Sequence, residues 1–178
     1  MPLYLFAYGS LIWRPGFEYL GVRRGWVEGY ERRFWQASHD HRGTPDQPGR
    51  VLTLVPVTGG RCEGMIYEIP IQGCEEMLVA LDEREQDGYE RVWLDAFSSI
   101  DNGQLRVLTW LALEENPSWV GDEPEERTAS IIANCHGASG SNLEYLSRLH
   151  DALNELEIKD AHVEALALRI SDKYQHSE

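Results

Sequence analysis

The chain has 178 residues, of which 42% are hydrophobic and 26% charged, and its formal net charge is −14. The length and these shares are ordinary for one globular domain, so we predict a single domain over residues 1–178. The negative charge argues against a nucleic-acid partner, which needs a basic surface, and against binding to anionic membranes. No apolar run approaches the length of a membrane span.

The three cysteines, Cys62, Cys74 and Cys135, form no CxxC pair, and their odd number does not suit a disulfide framework. This usage favours a reducing compartment. Met1 and Pro2 lead directly into an apolar run, without the charged region that opens a signal peptide. We therefore expect a cytoplasmic protein.

The first predicted element is a buried strand at Leu3–Tyr8, an unbroken apolar and aromatic run. Gly9 and Ser10 end it, and Leu11 to Trp13 resume apolar character at a spacing that does not fit a strand. Backbone N–H groups at such a turn can converge on a negative or developing negative oxygen. The alternative is an ordinary strand-end turn with a packed tryptophan, and both interpretations are open at this point.

Further strands follow, separated by turn residues. The loop Asp40–Arg50 holds two prolines and two glycines, Thr58-Gly59-Gly60 predicts a turn, and Asp101-Asn102-Gly103 is a strong hairpin signal. The predicted strands lie within Tyr19–Tyr30, Arg32–Ser38, Val51–Val57, Cys62–Ile69, Glu90–Ser99 and Leu105–Leu113.

Helical periodicity predicts one helix from Gly73 to about Gln86 and three more after a linker at Asn116–Pro124. The later helices are expected near Glu125–Cys135, Ser141–Leu156 and Asp160–Tyr174, the second of them opened by a capping box of Ser141 and Glu144. Hairpin-linked strands with one inserted helix predict an α+β fold, in which a small β-barrel of about six or seven strands is flanked by helices.

The inserted helix places one carboxylate on its buried face. Its apolar stripe consists of Cys74, Met77, Leu78 and Leu81. At about 100° per residue, Glu85 lies roughly 20–40° from Leu78 and Leu81, whereas Glu76 and Glu83 point toward water. A carboxylate among apolar residues is costly unless it is paired or functional, and burial shifts its titration toward neutral pH, as suits a general base. The alternative is a helix-end glutamate that reaches water or pairs with Arg84 or Arg91.

Four segments resemble the ChaC-type γ-glutamylcyclotransferases and keep the order of that family. They are YGSLIW at Tyr8–Trp13, RRFWQASHDHRGTPDQPGRVLTL at Arg32–Leu54, LDEREQDGY at Leu81–Tyr89 and GSNLEYL at Gly140–Leu146. The resemblance implies a small β-barrel fold and a cytosolic enzyme that converts glutathione to 5-oxoproline and cysteinylglycine, without metal or organic cofactor.

The resemblance also implies roles for individual residues. The turn of Tyr8, Gly9, Ser10 and Leu11 is expected to bind the γ-glutamyl group, and Glu85, the last acid of the L-D-x-R-E block, is the expected essential glutamate. Family members usually have Gly-Gly-Tyr where this chain has Asp87-Gly88-Tyr89. An additional acid so close to Glu85 is expected to disfavour its ionised form or to repel an anionic substrate.

The chemistry needs no enzyme nucleophile, because the α-amine of the substrate attacks its own γ-carbonyl. Glu85 is expected to take the ammonium proton and pass it to the leaving nitrogen, while N–H groups of Gly9–Leu11 hold the oxyanion. Ser10 lacks the G-x-S-x-G setting of a nucleophilic serine. The alternatives are a cyclotransferase of γ-glutamyl amino acids or amines, and a non-catalytic relative that binds γ-glutamyl groups as a regulatory module.

Three further residues are candidates for substrate binding. Arg42 and Arg50 flank the loop of the second segment and either bind substrate carboxylates or hold that loop by hydrogen bonds. Tyr145 either donates to the substrate or is a buried aromatic of an amphipathic helix. We predict no metal site, because His39 and His41 point to opposite faces if they lie on a strand, and no third ligand is suitably spaced.

Overall fold

The computed structural model describes residues 2–175, with side chains through residue 172. The strands in this part of the chain are β1 (Leu3–Ala7), β2 (Gly21–Ser38), β3 (Gly49–Ile69), β4 (Tyr89–Ser98), β5 (Gln104–Ala112), β6 (His136–Gly137) and β7 (Gly140–Ser141). The helices are α1 (Cys74–Arg84), α2 (Glu125–Asn134), α3 (Asn142–Glu155) and α4 (Ala161–Gln175). A short 3-10 turn, Ser10–Ile12, follows β1.

Five strands close into a barrel in the order β1-β3-β2-β4-β5. β1 runs antiparallel to β3, and it meets β5 in parallel where Leu5 lies opposite Leu108. The predicted hairpin at Asp101-Asn102-Gly103 joins β4 to β5, with the Ser98 N–H donating to the Gly103 carbonyl at 2.9 Å. The barrel and its helices confirm the predicted α+β fold, but the barrel has five strands where about six or seven were predicted.

β2 and β3 are longer than the strands predicted from the sequence. Tyr19–Tyr30 and Arg32–Ser38 lie largely in one strand, and the predicted turn at Thr58-Gly59-Gly60 is wrong because β3 continues through it. Gly29 and Gly59 have φ values of +78° and +75° inside these strands. A glycine in the left-handed conformation can bend a strand locally without ending its hydrogen bonds to the neighbouring strands. The glycines that predicted a turn therefore mark a bend within the strand.

The described residues form two compact units. The first unit comprises Met1–Glu31 and Leu54–Leu113 and contains β1, α1, β4, β5 and the adjoining parts of β2 and β3. Its apolar core includes Leu5, Ala7, Leu11, Tyr67, Ile69, Leu78, Leu81, Leu108 and Trp110. One face of α1 and the turn after β1 therefore share a single core.

The second unit comprises Arg32–Thr53 and Glu114–Glu178, in which α2, α3 and α4 pack against one another. Ser141 caps α3 as predicted, because its hydroxyl accepts the Glu144 N–H at 3.0 Å. None of the described helices is both long and apolar enough to cross a membrane. The single domain over residues 1–178 stays a prediction.

A histidine in the second unit is held in its neutral form. The Nε2 atom of His162 accepts the backbone N–H of Phe34 at 3.1 Å, so this nitrogen carries a lone pair. Burial, with the nearby charge of Arg33, lowers the pKa of His162 below its ordinary value of 6.5. Protonation would break the bond to Phe34 and place a second cation beside Arg33.

We expect His162 to make the stability of the protein depend on pH. Because its folded pKa is the lower one, the unfolded chain binds the proton first, and the free energy of unfolding falls as pH drops from about 6.5 through the folded pKa. His162→Gln should reduce this slope between pH 7.5 and 5, as measured by urea unfolding. An unchanged slope in the variant would show that other groups cause the pH dependence.

Candidate active site

The turn after β1 is fixed by hydrogen bonds from two buried tyrosines. Tyr8 is 7% exposed, and its hydroxyl donates to the backbone carbonyl of Trp110 at 2.7 Å. The Tyr67 hydroxyl donates to the Leu11 carbonyl at 3.0 Å. Burial, together with the neighbouring Tyr19, raises the pKa of Tyr67 to about 12, so its hydroxyl remains a neutral donor at physiological pH.

Three backbone N–H groups at the start of the 3-10 turn precede its first internal hydrogen bond. The first bond within the turn runs from the Ile12 N–H to the Gly9 carbonyl at 2.9 Å. The N–H groups of Gly9, Ser10 and Leu11 precede it and have no acceptor inside the turn, and no side chain caps the turn. These are the donors expected from the sequence for a negative oxygen.

Glu85 lies directly after α1, and its N–H still donates to the Leu81 carbonyl at 2.8 Å. Its side chain is 21% exposed, whereas Glu76 and Glu83 are exposed residues. The predicted difference between the three carboxylates is confirmed as a difference in burial. The N–H of Glu85 completes the last turn of α1, whereas its own backbone angles, φ −91° and ψ 47°, already lie outside the helix.

Arg84 links Glu85 to the turn after β1. Its Nη2 donates to the Ser10 hydroxyl at 2.9 Å, and its Nε lies 3.7 Å from Oε1 of Glu85. One guanidinium group therefore bridges the helix-end carboxylate and the predicted binding turn. The structure links Glu85 to Ser10 through Arg84, and the roles of Glu85 and of Tyr8–Leu11 toward a substrate stay predictions.

Asp82 and Arg91 form a second contact at this end of α1, which was not predicted from the sequence. The Asp82 carboxylate accepts from Trp110 Nε1 at 2.9 Å and from Arg91 Nε at 2.7 Å. The hydrogen bond from Arg91 lowers the pKa of Asp82. Because the Trp110 carbonyl receives the Tyr8 hydroxyl, Asp82 supports the same tryptophan that holds Tyr8. Asp82 is the acid at the second position of the L-D-x-R-E block, so the motif itself was the available signal.

Asp87, which stands where the resembling family usually has glycine, adopts a left-handed backbone conformation. Asp87 has a φ of 68°, and the following Gly88 has a φ of 93°. Side chains with a Cβ are disfavoured at such angles, with Asp and Asn the best tolerated, whereas glycine adopts them readily. The glycine usual in the resembling family therefore suits the backbone geometry here.

We expect Asp87→Gly to stabilise the protein by up to about 1 kcal/mol, because it removes the left-handed strain of a side chain. Guanidinium unfolding measures the change. Asp87→Ala is the matched control, since it removes the same charge but keeps a Cβ at this φ, and it should give no gain. An equal gain from both variants would assign the effect to the carboxylate instead of the backbone.

Arg42 and Tyr145 are neighbours in the second unit. Arg42 Nη1 donates to the Ser141 carbonyl at 3.0 Å and to Oε2 of Glu144 at 3.1 Å. The Arg42 guanidinium carbon also lies 5.5 Å from the centre of the Tyr145 ring. The hydrogen bond from Arg42 lowers the pKa of Glu144. The predicted substrate-binding roles of Arg42 and Tyr145 stay predictions.

Arg50 forms a buried ion pair with Glu123 in the second unit. Its Nε and Nη2 donate to the two carboxylate oxygens of Glu123 at 2.6 and 3.0 Å, and the two side chains are 6% and 13% exposed. The backbone of Arg50 exchanges two hydrogen bonds with the Asn142 side chain. These contacts favour the second of its two predicted roles, holding the loop.

The histidines after β2 make hydrogen bonds to serines. His41 Nδ1 lies 2.8 Å from the Ser139 hydroxyl, and His39 Nδ1 lies 3.4 Å from the Ser118 hydroxyl. Within residues 2–175, no group of three or more His, Cys, Asp or Glu side chains is arranged to hold a metal ion.

Comparisons with known proteins match nearly the whole chain. A family model described as "ChaC-like protein" matches residues 3–173. The mouse protein named glutathione-specific gamma-glutamylcyclotransferase 1 is 40% identical over 169 residues, which are 92% of this chain and 76% of the mouse protein. The glutathione-specific gamma-glutamylcyclotransferase of Saccharomyces cerevisiae is 32% identical, covering 88% of this chain and 87% of its own length.

A solved structure agrees with the fold. The crystal structure of a selenomethionine-labelled γ-glutamyl cyclotransferase specific to glutathione, from yeast, aligns with a TM-score of 0.91 and 29% identity. The alignment covers 99% of this chain and 98% of the yeast chain. By the family match over residues 3–173 and the curated relatives, this chain belongs to the ChaC-like family.

Proposed function

We propose that the protein is a γ-glutamylcyclotransferase that converts glutathione to 5-oxoproline and cysteinylglycine. The names of the mouse and yeast relatives support this activity and this substrate. The observation that carries the proposal is the shielded carboxylate of Glu85, which one guanidinium group joins to the Ser10 turn. A carboxylate and a set of backbone donors on either side of a small substrate are the groups that cyclisation of a γ-glutamyl amide requires.

The reaction begins with the α-ammonium group of glutathione, which is not nucleophilic until it loses a proton. Glu85 accepts this proton as general base. The free amine then attacks the γ-carbonyl carbon, forming the ring C–N bond of 5-oxoproline. Because both reacting groups belong to one molecule, correct folding of the substrate lowers the barrier by several kcal/mol.

Collapse of the tetrahedral intermediate breaks the original amide C–N bond. The protonated Glu85 donates its proton to the departing nitrogen and then takes the second proton of the ring nitrogen, so that collapse leaves a neutral lactam N–H. Glu85 passes this second proton to the released amine, which becomes an ammonium group, and the enzyme returns to its starting state. While the intermediate exists, the negative oxygen is held by backbone N–H groups of Gly9–Leu11, and one such donor contributes roughly 3–4 kcal/mol in other enzymes.

Ser10 acts in this scheme as part of the binding turn. Its hydroxyl oxygen accepts a hydrogen bond from Arg84, a charged donor that withdraws electron density from the oxygen. A serine nucleophile needs a base to remove its proton, and a guanidinium is the opposite of a base. This contact supports a direct intramolecular reaction instead of a covalent acyl-enzyme.

We also propose a cytoplasmic location, supported by the odd number of cysteines and by the availability of glutathione in reducing compartments. The absence of a nucleic-acid partner remains a prediction from the net charge of −14.

The function is tested by incubating the purified protein with glutathione and identifying the products by mass spectrometry. We expect 5-oxoproline and cysteinylglycine in equal amounts, with γ-glutamylalanine converted at least tenfold more slowly. Faster conversion of γ-glutamylalanine would assign the protein to the amino-acid-specific activity. Binding of glutathione without any product would identify a γ-glutamyl-binding module.

A further inference from the structure

Arg84 makes three hydrogen bonds to the segment after β1. Besides the bond from Nη2 to the Ser10 hydroxyl at 2.9 Å, its Nη1 donates to the backbone carbonyl of Arg14 at 2.7 Å and to that of Pro15 at 3.1 Å. Ser10 begins the 3-10 turn, whereas Arg14 and Pro15 follow it, so Arg84, the last residue of α1, binds the chain on both sides of the turn. A planar guanidinium serves several acceptors at fixed angles, which a lysine ammonium cannot do with the same geometry.

Arg84 also faces the carboxylate beside it. The 3.7 Å from its Nε to Oε1 of Glu85 is an ion-pair distance, longer than a hydrogen bond. Both side chains are largely shielded, at 26% and 21% exposure, so their charges interact through less water than a surface pair. Opposite charges at this distance attract each other, so the guanidinium group of Arg84 stabilises the negative carboxylate of Glu85.

The same side chain borders open space. Arg84 lines a cavity of about 340 Å³ together with Phe17, Met77 and Leu81. Neither Glu85 nor Tyr8–Leu11 lines this cavity.

The geometry points to Arg84 as a positioning residue of the cyclotransferase site, which clamps the Ser10 turn to the end of α1 and keeps Glu85 charged for proton removal. This inference rests on the proposed function. Arg84 then has two roles: it holds the Ser10 turn by hydrogen bonds, and its charge stabilises the Glu85 carboxylate. Two substitutions can separate these roles. Lysine retains the charge but loses the fork of donors, whereas methionine loses both.

The inference predicts different pH profiles for the two variants. In Arg84→Met, kcat/KM for glutathione should fall at least tenfold, and its acid limb should move up by about one pH unit, because loss of an adjacent cation favours the protonated carboxyl group. In Arg84→Lys, kcat/KM should also fall, but the acid limb should stay within about 0.3 pH units of the wild-type position. The charged or titratable side chains near this end of the first unit that both variants leave unchanged include Tyr8, Glu18, Tyr67, Asp82, Asp87 and Arg91.

The controls separate positioning from folding. Arg106→Met removes an arginine that is 66% exposed on β5 and should leave kcat/KM and its pH profile unchanged. Ser10→Ala removes one acceptor of the clamp and should lower kcat/KM without moving the acid limb, which keeps the test informative if Arg84→Met fails to fold. Thermal unfolding of each variant verifies the folded state.

Three results would overturn the role of Arg84. They are wild-type kcat/KM in folded Arg84→Met, a reduced kcat/KM with an unmoved acid limb in that variant, or an acid limb that moves equally in Arg84→Lys. Failure of the wild-type protein to form 5-oxoproline from glutathione would instead refute the proposed function. The two failures are therefore distinguishable in one set of assays.

Discussion

Glu85→Gln should reduce the turnover of glutathione by a hundredfold or more while the fold is retained. General acid–base catalysis contributes about 10²–10⁴-fold to such reactions, and glutamine cannot accept the ammonium proton. The amide is nearly the same size as the carboxylate, and Glu85 contributes its backbone N–H to the end of α1 in both proteins. Steady-state kinetics should show the loss in kcat, with KM changed much less, because glutamine still fills the same space.

Glu83→Gln is the matched control for this substitution. It makes the same chemical change two residues earlier on an exposed position of α1, and we expect activity within twofold of wild type. Normal turnover in Glu85→Gln would refute the assignment of Glu85. A collapse of turnover in both variants would show that charge at the end of the helix, and not one particular carboxylate, is required.

Arg50→Met should lower the free energy of unfolding by about 3 kcal/mol, because it leaves the carboxylate of Glu123 buried without its main partner. The exposed Arg127 remains 3.0 Å from Glu123, which keeps the cost toward the lower end of the range for buried pairs. Urea unfolding of wild type and variant measures the loss. If Arg50 holds the loop, the KM for glutathione of the remaining folded enzyme should change little.

The double variant Arg50→Met with Glu123→Leu separates loss of the pair from loss of the arginine. Replacing both buried charges by apolar groups is often close to neutral, so the double variant should recover most of the stability. Wild-type stability in Arg50→Met, together with a KM for glutathione raised tenfold or more, would establish the other predicted role, the binding of a substrate carboxylate.

The fold class could be predicted from the sequence because several short segments specify strands, turns and helix ends that are present in the barrel and its helices. The run Leu3–Tyr8, the turn at Asp101–Gly103 and the cap at Ser141 each specify their own structure through short-range chemistry. The lengths of β2 and β3 could not be predicted in the same way. A glycine such as Gly59 marks a left-handed residue, but whether the strand ends there depends on partners distant in the sequence.

In the candidate site, the position of the Glu85 carboxylate could be predicted from the sequence, but the hydrogen bonds that support the site could not. The partial burial of Glu85 follows from the spacing of Leu78 and Leu81 on one helix, since helical periodicity is local. The bonds from Arg84 to Ser10 and from Tyr8 to Trp110 join residues 74 and 102 positions apart, and no local pattern encodes them. From the sequence alone, Arg84 is predictable only as an ion-pair partner of Glu85.

The most direct test of the mechanism is to run the reaction with glutathione in water enriched in ¹⁸O and to examine the γ-glutamyl product by mass spectrometry. Attack by the substrate's own amine forms 5-oxoproline with no oxygen from solvent, so we expect an unlabelled ring together with cysteinylglycine. Glutamate carrying one ¹⁸O would show that water cleaves the amide or an acyl-enzyme, and it would contradict intramolecular cyclisation at Glu85 and the Ser10 turn.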